Sequence, residues 1–218
     1  EFDDGEKGLA KLADNVEFPV ITGNVDVSQS NVLAGKVDDH LVLEVGGEKI
    51  GIVSALASDT AETSSPSDAV VFSDEVESLQ ADVDALAAEG VTKIIALNHV
   101  GVTMDMDIAG AVNGLDAVVG GHSHTKFSNT EEGAMAYPTM VGDVPVVQAY
   151  AYSKYVGHLT LTFDDEGNVT EATGDTILLD NSVEEDPEVV ARVKELAVPI
   201  EELKVKVIGE SAGTIEGS

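Results

Sequence analysis

The sequence predicts an α/β fold in which parallel and antiparallel strands are mixed. From residue 93 onward, nearly all-apolar strand patterns alternate with helical patterns, as in a sheet that is covered on both faces. Two other pairs of strand-like segments are joined by short turns, which is typical of antiparallel hairpins. A chain of 218 residues with 43% hydrophobic residues can bury one sizeable core, and we expect one domain.

In the first third of the chain, apolar residues at helical spacing predict a helix over Asp4–Val16. The β-branched segment Phe18–Val25 predicts a strand. Leu41–Val45 and Ile50–Leu56 flank a glycine turn and predict a hairpin. The polar stretch Leu56–Ala69 predicts a loop.

The remaining elements follow the same two periodicities. A helix capped by Ser73 or Asp74 is predicted first. In chain order, the predicted segments are the helix Ser73–Glu89, the strand Lys93–Leu97, the helix Asp105–Val112, the strands Leu115–Val119 and Val144–Tyr150, the hairpin strands His158–Phe163 and Val169–Leu179, and the helix Asp186–Val205.

The charge balance excludes several classes of function. Asp and Glu number 41 against 11 Lys and Arg, and a net charge of -30 repels nucleic-acid phosphate. Such a surface is either an ordinary solvated one or an adaptation to a salty environment, where ions screen the self-repulsion. The absence of cysteine excludes disulfides, thiolate zinc sites and cysteine nucleophiles. Apolar stretches are too short to predict a membrane span, and no signal peptide opens the chain.

Three histidines follow buried strands. The pair Asn98-His99 follows the strand that ends at Leu97, and His122 and His124 follow the next strand and two glycines. Ligands of α/β sheets bind beyond the carboxyl ends of strands, so these imidazoles can share one site. Neutral imidazole is a good ligand for zinc, manganese, iron or cobalt. The pattern therefore predicts a metal site at this edge.

Other interpretations remain open for these and other polar residues. A lone histidine such as His99 can instead be a hydrogen-bonded core residue. We expect His40 and His158 to be structural or surface residues. We also expect the acidic pairs to be solvated, namely Asp105/Asp107, Glu131/Glu132, Glu184/Glu185 and Glu201/Glu202. The chain contains no hydrolase nucleophile elbow and no phosphate-binding glycine loop with Gly-Lys-Ser/Thr.

Several segments form an ordered set along the chain. They are the opening Glu1-Phe2-Asp3-Asp4-Gly5, Phe18-Pro19-Val20 leading to Asn24, Thr63-Ser64-Ser65-Pro66, Asn98-His99, Leu115-Asp116-Ala117-Val118-Val119-Gly120-Gly121-His122-Ser123-His124, Val146-Val147-Gln148-Ala149-Tyr150 and Lys154-Tyr155-Val156-Gly157. Together these segments resemble the 5'-nucleotidase family of calcineurin-like metallophosphoesterases. The resemblance runs from Glu1 to about Leu179. It implies a four-layer α/β/β/α sandwich that is incomplete at its N-terminal part.

The resemblance also implies two divalent metal ions, either Zn, Mn, Fe, Co or Mg. His99 and His122 would bind one ion and His124 the other. The family's Asp-x-His motif, its bridging aspartate and its catalytic Asn-His pair should lie before Glu1, so the catalytic residues are unknown. We expect residues 1–206 to be the C-terminal two-thirds of the catalytic domain and residues 207–218 to be a linker toward a nucleotide-binding domain. This chain alone is then expected to be inactive.

The implied activity is hydrolysis of nucleotide phosphomonoesters by the parent protein. Related alternatives are 2',3'-cyclic-nucleotide phosphodiesterase, UDP-sugar hydrolase, or cleavage of sulfate from a thiol carrier. Different classes are a non-catalytic metal-binding or structural module, and an acidic surface-layer or adhesion domain, which would predict repeats and calcium loops that the sequence lacks. Family members are usually exported, which implies a periplasmic or extracellular location.

Overall fold

The computed structural model describes residues 2–207, 209–210 and 212–213. The chain divides into two compact units, Glu1–Leu178 and Leu179–Ser218. Of the predicted linker 207–218, residues 208, 211 and 214–218 lie outside the described residues. None of the described helices combines enough length with enough hydropathy for a bilayer crossing.

The described residues form helices and strands in an interleaved order. The helices are α1 (Gly5–Asn15), α2 (Thr60–Thr63), α3 (Glu75–Ala88), α4 (Val102–Ala111) and α5 (Pro187–Lys204). The strands are β1 (Val25–Asp26), β2 (His40–Val45), β3 (Glu48–Val53), β4 (Val71–Phe72), β5 (Ile94–Leu97), β6 (Ala117–Val119), β7 (Thr139–Val141), β8 (Val144–Val147), β9 (Tyr155–Phe163) and β10 (Val169–Leu178). The second unit contains α5, which Asp186 caps by accepting from the amide of Val189 at 3.0 Å.

A six-stranded sheet with the order β2-β3-β5-β6-β8-β7 forms the centre of the first unit. Strands β3, β5, β6 and β8 run parallel, and β2 and β7 pair antiparallel at the two sides. The predicted mixed α/β class is therefore confirmed. The carboxyl ends of the four parallel strands meet at one edge of the sheet, which we call the carboxyl edge. Their first residues meet at the opposite edge, the amino edge.

Helices α3 and α4 cover one face of this sheet. Helix α3, predicted as Ser73–Glu89, buries an apolar stripe of Leu79, Val83 and Leu86 there, against the strand residues Ile94 and Val118. Each fully buried aliphatic side chain of this kind contributes about 1.5–3 kcal/mol. Asp74 caps α3 by accepting from the amide of Glu77 at 2.9 Å, as predicted.

The opposite face of β6 and β8 packs against the hairpin β9–β10. Alternation along the strands turns Val119 and Val147 to this side, where they meet Phe127, Tyr137 and Leu159. Glycine at position 157 in β9 is required by this packing, since a Cβ there would lie 2.8 Å from the Tyr137 hydroxyl. A layer of helices, the sheet and the hairpin thus stack in that order.

Three sequence predictions differ from the structure. The expected strand Phe18–Val25 forms only at its end, because its earlier backbone groups pair individually with Asp38 and Ser54. Pro19 has no amide to donate and the Phe18 side chain stays 66% exposed, so a continuous ladder is not favoured. The short helix α2 lies inside the expected loop Leu56–Ala69.

Helix α4 begins at Val102, three residues before the predicted start at Asp105. Its N-cap is Gly101, which has no side chain to accept the first amides. The hydroxyl of Ser123, from a segment 21 residues away, accepts from the Val102 amide at 3.0 Å instead. A cap supplied by another segment leaves no local sequence signal.

Candidate metal centre

The first candidate ligand lies on a short segment held between two strand ends. The amide of Asn98 donates to the carbonyl of Val119 at 2.9 Å, and the amide of His99 donates to the carbonyl of Ala55 at 2.9 Å. The His99 carbonyl in turn accepts from the Ala57 amide at 3.0 Å. These bonds fix the backbone of His99 at the carboxyl edge, while the residue itself stays exposed.

The second segment, residues 120–125, carries His122 and His124 from the end of β6. Both histidines adopt left-handed backbone angles, with φ of 71° and 53°. Residues other than glycine seldom adopt this region, which costs about 1–2 kcal/mol, and histidine, asparagine and aspartate are the types found there most often. Strain of this kind clusters at functional sites when the surrounding contacts impose it.

The structure brings the rings of His99 and His122 together. Their centroids lie 5.1 Å apart in an edge-to-face arrangement, with an interplanar angle of 75°. Gly121 permits this approach, because a Cβ at that position would lie 3.0 Å from Nδ1 of His99. Neither histidine belongs to the packed interior, since both residues are exposed.

His124 is exposed as well, and its ring contacts a different partner. Its centroid lies 5.1 Å from that of Tyr152, which is 81% exposed. Among the described residues, no group of three or more His, Cys, Asp or Glu side chains is gathered closely enough to hold a metal ion. The chain thus pairs two of the three candidate ligands and presents the third on the same loop.

The paired imidazoles nevertheless fit a divalent ion. Their donor chemistry suits zinc, manganese, iron or cobalt, and Gly121 leaves a cradle against His99 that a Cβ would fill.

Of the remaining histidines, His40 places Nδ1 3.4 Å from Asp82 Oδ1, and His158 lies exposed on β9. These surroundings agree with the structural or surface roles that the sequence predicts for both.

Asp105, expected to be solvated, is 1% exposed beneath this edge, so that expectation was wrong. Its Oδ1 accepts from Nδ2 of Asn98 at 3.3 Å, and Oδ1 of Asn98 accepts from the Ala55 amide at 3.1 Å. Burial raises the pKa of Asp105 to about 6, and the Asn98 hydrogen bond opposes that rise. The signal for burial was its helical spacing to Ile108 and Ala109, which face the core.

Gln148 is the second supporting residue that the sequence did not single out. It follows β8, is 3% exposed, and directs both ends of its amide at the segment that carries His122 and His124. Its position one residue beyond a buried strand, like that of Asn98 after β5, was the available signal.

An aromatic and cationic cluster borders the site beyond Gln148. Tyr150, Tyr152 and Ser153 all have left-handed backbone angles, with φ between 53° and 64°. Lys126 donates to the Tyr155 hydroxyl at 2.7 Å, lies 4.7 Å from the centre of that ring, and pairs with Glu131. The strained backbone of residues 120–125 therefore continues along the same rim.

Comparison with known proteins gives consistent relatives. The chain is 40% identical over 232 aligned positions to the snake venom 5'-nucleotidase of Naja atra, covering 100% of this chain and 44% of that protein. The 5'-nucleotidase precursor from Thermus thermophilus superposes with a TM-score of 0.90 at 36% identity, covering 96% of this chain and 43% of that one. Haemophilus influenzae NAD nucleotidase gives 0.73 at 28% identity, covering 91% and 40%.

No protein-family model matches the chain. The chain spans about two fifths of the length of the curated relatives it matches.

Proposed function

We propose, since this chain belongs to the 5'-nucleotidase family of metallophosphoesterases, that the protein carrying it hydrolyses nucleotide phosphomonoesters. The observation that carries the proposal is the approach of His99 and His122 at the carboxyl edge, with ring centroids 5.1 Å apart. The substrate is a small-molecule nucleotide, since a chain with a net charge of -30 repels a polymeric phosphate backbone.

In this proposal, His99 and His122 hold one divalent ion and His124 contributes to the binding of a second. When bound, a pair of such ions stabilises the negative charge that develops on phosphate oxygens and lowers the pKa of bound water. The chain's own contribution is orientation. The hydrogen bonds of Asn98 and His99 to neighbouring strand ends fix one imidazole, and the left-handed loop presents the other two.

The test removes one imidazole at the edge and one elsewhere. In the protein as its gene encodes it, we expect His122→Ala to lower metal affinity by more than the roughly 100-fold that loss of an outer partner costs. Release of inorganic phosphate from AMP should fall in parallel. His158→Ala, on the exposed β9, is the matched control and should leave both unchanged. If both variants bound metal with equal affinity, His122 would not be a metal ligand.

The isolated 218-residue chain is proposed to have little or no phosphatase activity. The motifs expected before Glu1 in the resemblance are needed for a complete pair of metal sites. Purified chain and full gene product would be compared with AMP and added divalent metal. Robust turnover by the isolated chain would overturn this proposal while leaving the family assignment intact.

Substrate range is a separate proposal. The likeness to Haemophilus influenzae NAD nucleotidase, at 28% identity, supports activity on larger nucleotide esters in addition to AMP. UDP-sugars share the pyrophosphate linkage of NAD, whereas 2',3'-cyclic nucleotides are phosphodiesters, so the two represent different further substrates. Rates with AMP, NAD, a UDP-sugar and a cyclic nucleotide, measured under one set of conditions, would rank them. A clear preference for any substrate other than a phosphomonoester would correct the leading proposal.

We also propose that the protein is exported and adapted to salt. The relative from Naja atra is a venom protein, which supports export. The charge of -30 on 218 residues supports adaptation to salt, because ions must screen its self-repulsion. Melting temperature should rise between low and molar salt, and a flat response would contradict the adaptation. Fractionation of the source cells would test the location.

A further inference from the structure

We propose that Gln148 is a positioning residue that, together with Ser123, fixes residues 121–125 and thereby sets the metal affinity of His122 and His124. The part that concerns metal affinity rests on the proposed function. The part that concerns the loop rests on contacts within the first unit alone.

Gln148 holds the loop at two points, one on each side of the two histidines. Its Nε2 donates to the carbonyl of Gly121 at 3.0 Å, before His122. Its Oε1 accepts from the amide of Thr125 at 2.5 Å, after His124. Since Gln148 is 3% exposed, these bonds do not compete with bulk water. One rigid side chain therefore sets the distance between the two ends of the segment.

Ser123, between the two histidines, anchors the middle of the loop. Its hydroxyl accepts from the amide of Val102 at 3.0 Å and lies 2.8 Å from the hydroxyl of Thr125. It is also within 3.3 Å of Gln148 Nε2. The loop is thus tied to the start of α4 as well as to the end of β8.

This support is needed because the loop is strained. Both histidines have positive φ, and each would relax into an extended or right-handed conformation if the ends were released. Because successive side chains change direction when φ changes sign, relaxation would turn the His122 imidazole away from His99 and the His124 imidazole away from Tyr152. Partners that orient metal ligands are commonly worth 10–100-fold in affinity, and about that range is expected here.

The chain contains a matched control for this arrangement. Gln80, on α3, also uses both ends of its amide on a backbone: its Nε2 donates to the carbonyl of Asn113 at 3.2 Å, and its Oε1 accepts from the amide of Asn113 at 2.8 Å. This second clamp holds the connection into β6 at the amino edge, where no candidate ligand lies. Its loss removes the same hydrogen-bonding groups without touching the histidine loop.

The experiment compares the variants Gln148→Met and Gln80→Met of the full-length gene product. Methionine keeps the volume and removes both polar ends. Calorimetry and visible absorption measure Co²⁺ binding. The hydrogen-exchange rate of the Thr125 amide measures the order of the loop. Thermal melting in the presence of a chelator measures the stability of the metal-free protein. We expect Gln148→Met to weaken Co²⁺ binding about 10–100-fold and to speed exchange at Thr125. Gln80→Met should lower the melting temperature with unchanged Co²⁺ affinity.

A second variant covers the case in which Gln148→Met fails to fold. Gln148→Glu keeps an acceptor for Thr125 and loses the donor to Gly121, so an intermediate loss of Co²⁺ affinity is expected. Unchanged Co²⁺ affinity in a folded Gln148 variant, or unchanged exchange at Thr125 in Gln148→Met, would overturn the inference. If the unaltered protein bound no Co²⁺ while the exchange result held, the proposed metal-dependent function would fail and the structural role of Gln148 would stand.

Discussion

The carboxyl and amino edges of the central sheet are built in opposite ways. At the carboxyl edge, two histidines adopt left-handed angles, a carboxylate is buried, and side chains from distant segments support the backbone. At the amino edge, the turns with positive φ are glycines, such as Gly90 and Gly114, and ion pairs such as Lys93–Glu48 are exposed to solvent. Unfavourable geometry is concentrated where the candidate ligands lie.

Buried carboxylates sharpen the contrast. Asp116, at the amino edge, has a pKa raised to about 6 by burial, and its Oδ2 accepts from the Ile94 amide at 2.7 Å. Asp105, near the carboxyl edge, has a similarly raised pKa, but its Oδ2 finds no hydrogen-bond partner among the described residues. The cost of this unpaired oxygen lies next to the candidate ligands, and a second unpaired oxygen, Oδ2 of Asp82, lies beside His40.

The largest expected effect is a clash at the carboxyl edge. A Cβ on Gly120 would lie 1.9 Å from Oδ2 of Asp105, so Gly120→Ala should lower the free energy of unfolding by about 1–3 kcal/mol. Urea denaturation measures the loss. Adding Asp105→Ala to that variant should recover part of it, because the two sites are in contact.

Gly110→Ala is the control for that prediction. It lies in α4, where an added methyl group would meet only Val141 at 3.5 Å, so stability should stay the same or rise by up to about 1 kcal/mol. If Gly120→Ala behaved like Gly110→Ala, the carboxyl edge would be less tightly packed than the structure shows.

The next largest effect is a dependence of the free energy of unfolding on pH, which arises from Asp105. Its pKa is raised to about 6 in the folded state, so the folded protein binds its proton more tightly than the unfolded chain does. This contribution to stability is complete below about pH 4 and is lost as the pH rises through about 6. The loss should amount to at most about 3 kcal/mol. Urea denaturation of Asp105→Asn should give a flatter profile over that range.

Asp107→Asn is the control, because Asp107 lies on the exposed side of the same helix. Its stability should change with pH in the same way as that of the unaltered protein. If Asp105→Asn had the same slope as Asp107→Asn between about pH 4 and pH 7, the carboxyl group of Asp105 would not be the source of the dependence.

The smallest effect is expected at the amino edge. Lys93 donates to Glu48 at 2.8 Å and lowers the pKa of that carboxyl, but the Glu48 side chain is 66% exposed to solvent. Exposed ion pairs add little because water and salt screen them. Glu48→Gln should therefore leave the melting temperature unchanged within error. A clear loss of stability would show that this edge also depends on specific polar contacts.

Elements whose signals are local could be predicted from the amino-acid pattern alone. The buried stripe of α3, its Asp74 cap and the apolar strands β5, β6 and β8 follow from periodicity and capping chemistry within about a dozen residues. The positions of His99, His122 and His124 after buried strands also lie in the sequence, because parallel strands bring their carboxyl ends to one edge.

Other features follow only from the folded structure, because their partners lie far away in the chain. Ser123 caps the start of α4, and Gln148 hydrogen-bonds both ends of the loop that carries His122 and His124. The extended segment after Phe18 likewise pairs with residues 38 and 54 rather than with one neighbouring strand. Local periodicity reports which face of an element is apolar, whereas the cap of α4, the hydrogen bond from Ala55 to Asn98 and the contacts of the histidine loop join residues 21 to 43 positions apart, which no local pattern encodes.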